Sequence, residues 1–227
     1  MENRKEYIDG GTASESLTTR NRIIEAAGHL FAQDGFDRAT SRQICDLARV
    51  NCAAVNYHFG GKEQLYLEVL REAHRTLVHF GALKNFAQES DLSEEKIEAF
   101  FLGYLGSLLG NSPDSWAARV MLREMSAPTP AFDEFAQLQL RPTAKLFRSL
   151  ASFVMGLPVD HEAVVRGAIS IVAQFAFVFQ NRHVVEMVNP ELDLAGQGLD
   201  RLAHHIWRFT LAGLKAVASD YKKEPVK

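Results

Sequence analysis

"TSRQICDLARVNCAAVNYHFGGKEQL", residues 40–65, holds two short helical patterns separated by a three-residue turn. Thr40, followed three positions later by Gln43, forms a capping box that opens a helix carrying Ile44, Leu47 and Ala48. Arg49 and Val50 lead to Asn51, a residue suited to cap a second helix over about residues 52–58, in which Val55 and Phe59 lie four apart and face inward. Gly60-Gly61 ends that helix.

Working outward, the segment before this pair is helical from Thr19, with Ile23, Ala27, Leu30 and Phe31 on one face and Gly35 where a helix stops. After it, a long helix from Lys62 carries Leu65, Tyr66, Val69, Leu70, Ala73 and Leu77 as an apolar stripe. A polar break at residues 88–93 precedes further helical segments over about 94–110, 114–126, 131–156, 161–185 and 196–220. Their boundaries fall at Pro113, Pro128, Pro130, Pro158 and Pro190, and Pro142 implies a kink or split within its segment. With no long alternating run, the chain reads as all-α: a small domain over 18–66, a larger one over 67–222, a mobile arm over 1–17 and a tail over 223–227.

Composition is that of an ordinary globular protein: 227 residues, 47% hydrophobic and 23% charged, with 15 Phe to fill a core. The net charge of −3 opposes nucleic acid over the whole molecule, so any DNA contact must use a local patch. Two cysteines, Cys45 and Cys52, and a polar start without an apolar signal core point to a reducing cytoplasm. The longest apolar stretch, residues 168–179, is too short to span a bilayer and reads as a buried helix, so no membrane is expected as a partner.

Two short helices behind a supporting helix make a helix-turn-helix. The second helix of such a pair fits a major groove about 12 Å wide while the first crosses the phosphate backbone. With Val55 and Phe59 turned inward, Ala53, Asn56, Tyr57 and His58 remain on the outer face. An Asn amide pairs with adenine edges, a small Ala allows close approach or touches a thymine methyl, and Tyr and His reach phosphates.

Residues 19–70 resemble the TetR family of bacterial transcription regulators in residue order and spacing throughout. The resemblance implies that Thr40, Ser41 and Arg42 open a helix touching backbone and nearby bases. It also implies that Asn51, Cys52, Ala53, Asn56 and Tyr57 belong to the recognition helix and its cap, and that His58 and Lys62 contact phosphate. Two positions depart from the family pattern. Arg49 stands where the turn usually has Gly, placing a side chain at a positive-φ position, and Asn56 replaces a common aromatic, which alters the bases read. "AAVNYHFGGKEQLY" together with "MLREMSAPTP" near 121–130 is similar to the CerR (YbiH-like) subgroup.

For the larger domain the family implies a dimer built on its last two long helices, here with Val165, Ile169, Val172, Leu199, Leu202, Ile206 and Phe209. Two-fold symmetry then calls for a palindromic operator on double-stranded DNA. A small-molecule effector is also implied, in a mostly apolar pocket with Phe100, Tyr104, Trp116, Met121, Met125, Phe175 and Phe179 as candidates and Arg123 and Glu124 as the polar pair. For any one of these aromatic or Met residues, plain core is the better reading. The expected function is a dimeric, ligand-responsive repressor released from its operator by a small molecule. The alternative, motivated by the acidic balance, is a helical protein-binding or ligand-carrier module that no longer binds DNA.

Other constellations are weaker. Cys52 at a helix start suggests a redox switch, but Cys45 takes a small core position and the sequence shows no resolving partner, so packing is the preferred role for both. His204 and His205, with Asp200 one turn before, point about 100° apart and make a poor metal site. "FGGKE" lacks the earlier Gly and the Ser or Thr of a phosphate loop. Without a nucleophile elbow or paired zinc motif, neither an enzyme nor a cofactor is expected.

Overall fold

The computed structural model describes residues 10–87, 89, 91–110 and 115–223, and all regular structure among them is helical. The helices are α1 (Gly10–Arg38), α2 (Ser41–Ala48), α3 (Ala53–Phe59), α4 (Lys62–Val78), α5 (Phe80–Ala87), α6 (Glu94–Gly110) and α7 (Trp116–Ser126). They continue with α8 (Phe132–Phe135), a π-helical turn (Ala136–Leu140), α9 (Arg141–Met155), α10 (Glu162–Gln180), α11 (Arg182–Val188) and α12 (Gln197–Lys223). Helix α1 begins at Gly10, so residues 10–17 are helical where the sequence suggests an arm; Ala13, Glu15 and Leu17 are good helix formers. The rest of the expected arm, 1–9, and the tail beyond 223 lie outside the described residues.

The chain divides into two compact units, one running through His74 and adding Trp116–Phe135, the other taking Arg75–Ser115 and the chain from Ala136 onward. This moves the boundary from residue 66 and returns α7 to the N-terminal unit. Packing on α1 is the reason. The Trp116 ring lies so close to Gly28 that a Cβ there would sit 2.5 Å from it, and its Nε1–H donates to Glu25 Oε1 at 3.0 Å. Arg123 donates to the carbonyls of Ala32 and Gln33 near the bend of α1 at Gly35 (φ 82°, ψ 171°). The core of this unit gathers Ile23, Ala27, Phe31, Ile44, Val55, Leu65, Tyr66 and Leu70.

In the second unit α12 packs against α6, α9 and α10, and α9 also packs against α10 and α5. Gly167 lets α10 and α12 approach, because a Cβ there would meet the Leu214 side chain at 2.7 Å. Lys215 ties α12 to Glu94 of α6 at 2.6 Å. The split expected at Pro142 appears as the π-helical turn that ends at Leu140, with Pro142 in the first turn of α9. Pro142 has no N–H to offer Leu138, and the widened turn absorbs the loss.

Two expectations are corrected. The segment 161–185 is not one helix: it breaks at Asn181, whose side-chain amide and backbone N–H both donate to the Phe177 carbonyl at 2.9 Å. Helix α10 is also not buried all round, and it is long and apolar enough to cross a bilayer by length and composition alone. It buries Val164, Ala168, Ile171 and Phe175 and leaves Ile169 and Phe177 more than half exposed.

Candidate nucleic-acid interface

The capping box read from Thr40 forms: its N–H donates to Gln43 Oε1 at 2.9 Å, and its Oγ1 accepts from Gln43 N–H at 3.3 Å. Helix α2 then ends in a Schellman motif. Val50 N–H donates to Cys45 O at 3.0 Å, Arg49 N–H to Asp46 O at 3.2 Å, and Arg49 itself takes the left-handed conformation (φ 55°, ψ 49°). The turn therefore keeps the geometry that Gly would supply. Arg22 of α1 braces it by donating to the carbonyls of Ala48 and Arg49, a contact across 26 positions that no local pattern announces.

Helix α3 starts at Ala53, with Cys52 at the cap position. The capping hydrogen bond is nevertheless made by Asn51, whose Oδ1 accepts from Ala53 N–H at 2.9 Å. Val55 and Phe59 are buried as expected, and the Arg20 guanidinium lies 5.2 Å from the Phe59 ring centre. Ala53, Asn56 and Tyr57 face solvent, Tyr57 at 82% exposure with its ring edge-to-face on His58 at 4.9 Å. His58 is half-buried. Of the residues on α2, Arg42 is exposed and Ser41 half-buried, whereas the Thr40 hydroxyl is occupied in its cap.

The Lys62 ammonium donates to Phe36 O at 2.9 Å and Ala39 O at 3.1 Å and lies 4.4 Å from the Phe36 ring centre, so it fastens the start of α4 to the end of α1. Cys45 is buried, as expected, and Cys52 is exposed. Burial pushes the Cys45 thiol pKa up.

The nine effector-pocket candidates fall in two places. Trp116, Met121, Arg123, Glu124 and Met125 belong to the first unit, where Trp116, Arg123 and Glu124 have internal partners. Glu124 is fully buried and accepts from Tyr66 OH at 2.7 Å, Thr129 N–H at 3.0 Å and Thr129 OH at 2.9 Å. Burial and the Glu124 carboxylate hold the Tyr66 phenol well above its ordinary pKa. Phe100, Tyr104, Phe175 and Phe179 belong to the second unit. There Phe100 stacks on Phe86 at 4.1 Å, and Tyr104, its pKa raised by burial, meets Phe147 and Phe175 edge-on at 5.9 and 6.0 Å.

Of the seven expected interface residues, Ile169 and Phe209 are more than half exposed, and Val165, Val172, Leu199 and Leu202 are half-buried. Ile206 is corrected: it is 4% exposed within the single chain, because it lies on the side of α12 that carries Ala203, Trp207 and Thr210 into the unit's own core. Among the described residues no three His, Cys, Asp or Glu side chains are grouped to hold a metal.

An all-helical chain with a braced helix-turn-helix in one unit and a helical bundle in the other has the architecture of a helix-turn-helix regulator. Residues 23–69 match the family described as "Bacterial regulatory proteins, tetR family", and residues 93–214 match "HTH-type transcriptional dual regulator CecR, C-terminal domain". The chain belongs to the TetR family, with a C-terminal domain of the CecR type. It is 37% identical over 70 residues to the HTH-type transcriptional repressor NicS of Pseudomonas putida, covering 31% of this chain and 32% of that protein. It is 35% identical over 80 residues to the regulator TtgR, also of Pseudomonas putida, covering 35% of this chain and 38% of that one. The matches thus span about a third of these relatives' length. Among solved structures, the SmeT–triclosan complex aligns with a TM-score of 0.63 at 22% identity over 86% of this chain and 90% of that one. FadR from Bacillus halodurans, a fatty acid degradation regulator, aligns at 0.62 and 19% identity over 85% and 98%. These two likenesses speak to the fold.

Proposed function

We propose that the protein is a dimeric, ligand-responsive DNA-binding transcriptional regulator, a repressor released from a palindromic operator by a small molecule. The observation that carries this reading is Tyr57, an aromatic left 82% exposed on a helix whose Val55 and Phe59 are buried. Nothing in the unit's core requires it, whereas a major groove offers phosphates and base edges to a phenol. Asn56 beside it would read an adenine edge, Arg42 and Ser41 would meet the backbone from α2, and Ala53 would allow close approach. Repression is supported by the names of relatives such as NicS and the probable acrEF/envCD operon repressor of Escherichia coli. A regulator of this kind works on DNA in the bacterial cytoplasm.

Placement in the CerR (YbiH-like) subgroup belongs to the same reading and is supported by "MLREMSAPTP". The effector site we place in the second unit, around Phe100, Tyr104, Phe175 and Phe179. The aromatic cluster there suits an apolar, ring-bearing molecule. The dimer face we place on α10 and α12, around Ile169, Phe177 and Phe209.

A gel shift with the DNA just upstream of the protein's own gene tests the reading. Binding should depend on sequence and weaken steeply with salt. Absence of any such shift across fragments of that region would favour the carrier or protein-binding alternative.

A further inference from the structure

We propose that Arg20 is a positioning residue for helix α3: it covers the buried end of that helix and ties it to α4, and so aims the exposed face without being a DNA contact itself. Helix α3 has seven residues and two buried anchors, Val55 and Phe59. Its outer face, with Asn56 and Tyr57, is aimed only as well as those anchors are held. Phe59 is the last residue before the left-handed Gly60, so no further helical turn steadies it. Over its ring lies Arg20 of α1, with the guanidinium carbon 5.2 Å from the ring centre. A cation over an aromatic face is attracted by the ring quadrupole, and the flat guanidinium suits that face better than an ammonium.

The same guanidinium is bonded to α4. Its Nη2 donates to Glu68 Oε2, while Glu68 Oε1 accepts from Arg71 Nη1. Arg71 in turn reaches Glu134 of α8 at 3.3 Å. Arg20, Glu68, Arg71 and Glu134 therefore make one chain of alternating charge, and its Arg20 end rests on Phe59. An isolated surface pair would hold little, because solvent screens it and two long side chains must be ordered. Here the Glu68 side chain is 25% exposed and bonds two guanidinium groups at once, so both of its oxygens are held.

The charge balance separates this role from a direct one. On the regulator reading above, on which the DNA consequence rests, a phosphate-contacting Arg20 would be contested by Glu68, and Glu68→Gln would tighten operator binding. An Arg20 that orients α3 gives the opposite sign. Glu68→Gln then frees the guanidinium from α4, loosens the cover on Phe59 and weakens binding.

The test measures fluorescence anisotropy on labelled DNA from upstream of the protein's own gene, over a salt series, for the full-length wild type, Glu68→Gln, Arg20→Gln and the double variant. Each single variant should bind about fivefold more weakly with an unchanged salt slope, and the double variant no worse than Arg20→Gln. Tighter binding by Glu68→Gln, or a slope flattened by about one unit in Arg20→Gln, would overturn the proposal and make Arg20 a phosphate contact. Unchanged affinity in both single variants would also overturn it.

Amide hydrogen exchange reads the brace without DNA. The Gly60 N–H, which donates to Asn56 O at 2.9 Å and closes the last turn of α3, should exchange about fivefold faster in Glu68→Gln. The Ile44 N–H, bonded to Thr40 O in α2, should keep its wild-type rate. Equal acceleration at both amides would mean general destabilisation and would sink the positioning role, as would an unchanged Gly60 rate, whatever the DNA result. A wild type that shifts no DNA, combined with the expected change at Gly60 alone, would retire the regulator reading and leave the Arg20 brace standing.

Discussion

The Tyr66 hydroxyl donates to the Glu124 carboxylate at 2.7 Å, joining α4 to α7 across 58 positions of sequence. Tyr66 also meets the Phe31 ring edge-on at 4.8 Å and Phe36 at 4.9 Å, so one side chain ties the aromatic core of the first unit to a buried charge. Glu124→Ala strands three donors, the Tyr66 hydroxyl and the N–H and hydroxyl of Thr129, and should cost about 3 kcal/mol in urea unfolding. Tyr66→Phe leaves Glu124 its two Thr129 bonds and should cost about 1 to 2 kcal/mol. Costs of the two variants that simply add in the double mutant would show that the pair is not coupled.

Tyr57→Ala should separate binding from folding. With the side chain 82% exposed, the unfolding midpoint should stay within error, while operator affinity falls roughly tenfold through the loss of one groove contact. Fluorescence anisotropy on a labelled operator measures the second quantity. Unchanged affinity would remove Tyr57 from the interface.

What was legible in the sequence is what local chemistry decides. The Thr40 cap, the inward Val55 and Phe59, the glycine stop at Gly60 and the disturbance before Pro142 each follow from residues within a few positions of one another. Asn51 is legible as a cap, though the helix it serves begins at Ala53. The break at Asn181 is not legible, because an Asn that turns on the Phe177 carbonyl looks, in sequence, like any polar helix residue. The long-range contacts were beyond reach. No periodicity links Arg22 to the carbonyls after α2, Lys62 to the end of α1, or Glu124 to Tyr66. The polar pair Arg123-Glu124 therefore read as a ligand contact when both side chains are spent inside the first unit.

Lys62→Met keeps the apolar stem but removes two hydrogen bonds to the carbonyls of Phe36 and Ala39, and should lower stability by about 1 to 2 kcal/mol. Its effect on the salt dependence of DNA binding should be small. Arg42→Ala, by contrast, should leave stability unchanged and flatten the salt slope by about one unit. The opposite assignment of the two effects would return Lys62 to the phosphate contacts.

Arg49→Gly should stabilise the protein by about 0.5 to 1 kcal/mol, because the residue holds φ 55° with an exposed side chain. Chemical denaturation with an unchanged m-value reads the gain. A loss of stability would mean that the Arg49 side chain itself braces the turn.

Burial lowers the His74 pKa to about 4 from 6.5, and its ring packs edge-on against Phe135 at 5.9 Å. Between these two values the unfolded chain takes up a proton that the folded one refuses. The contribution is thus complete above about pH 6.5 and is lost as pH falls toward 4, by up to about 3 kcal/mol. His74→Gln should remove that limb from a plot of stability against pH. A variant that keeps the wild-type slope would assign acid sensitivity to the carboxylates instead.

The two faces of α12 separate association from folding. Phe209 is 64% exposed on one side, and Ile206 is 4% exposed on the other. If α10 and α12 form the dimer face, the double substitution Ile169→Glu, Phe209→Glu should sediment as a monomer at micromolar concentration with its far-ultraviolet helical signal intact, since neither side chain is buried within its own chain. Ile206→Ala should instead cost about 2 to 4 kcal/mol as a core truncation. A wild-type protein that sediments as a monomer under the same conditions would overturn the interface. Loss of helical signal in the double variant would instead show that these exposed positions support the fold of the single chain.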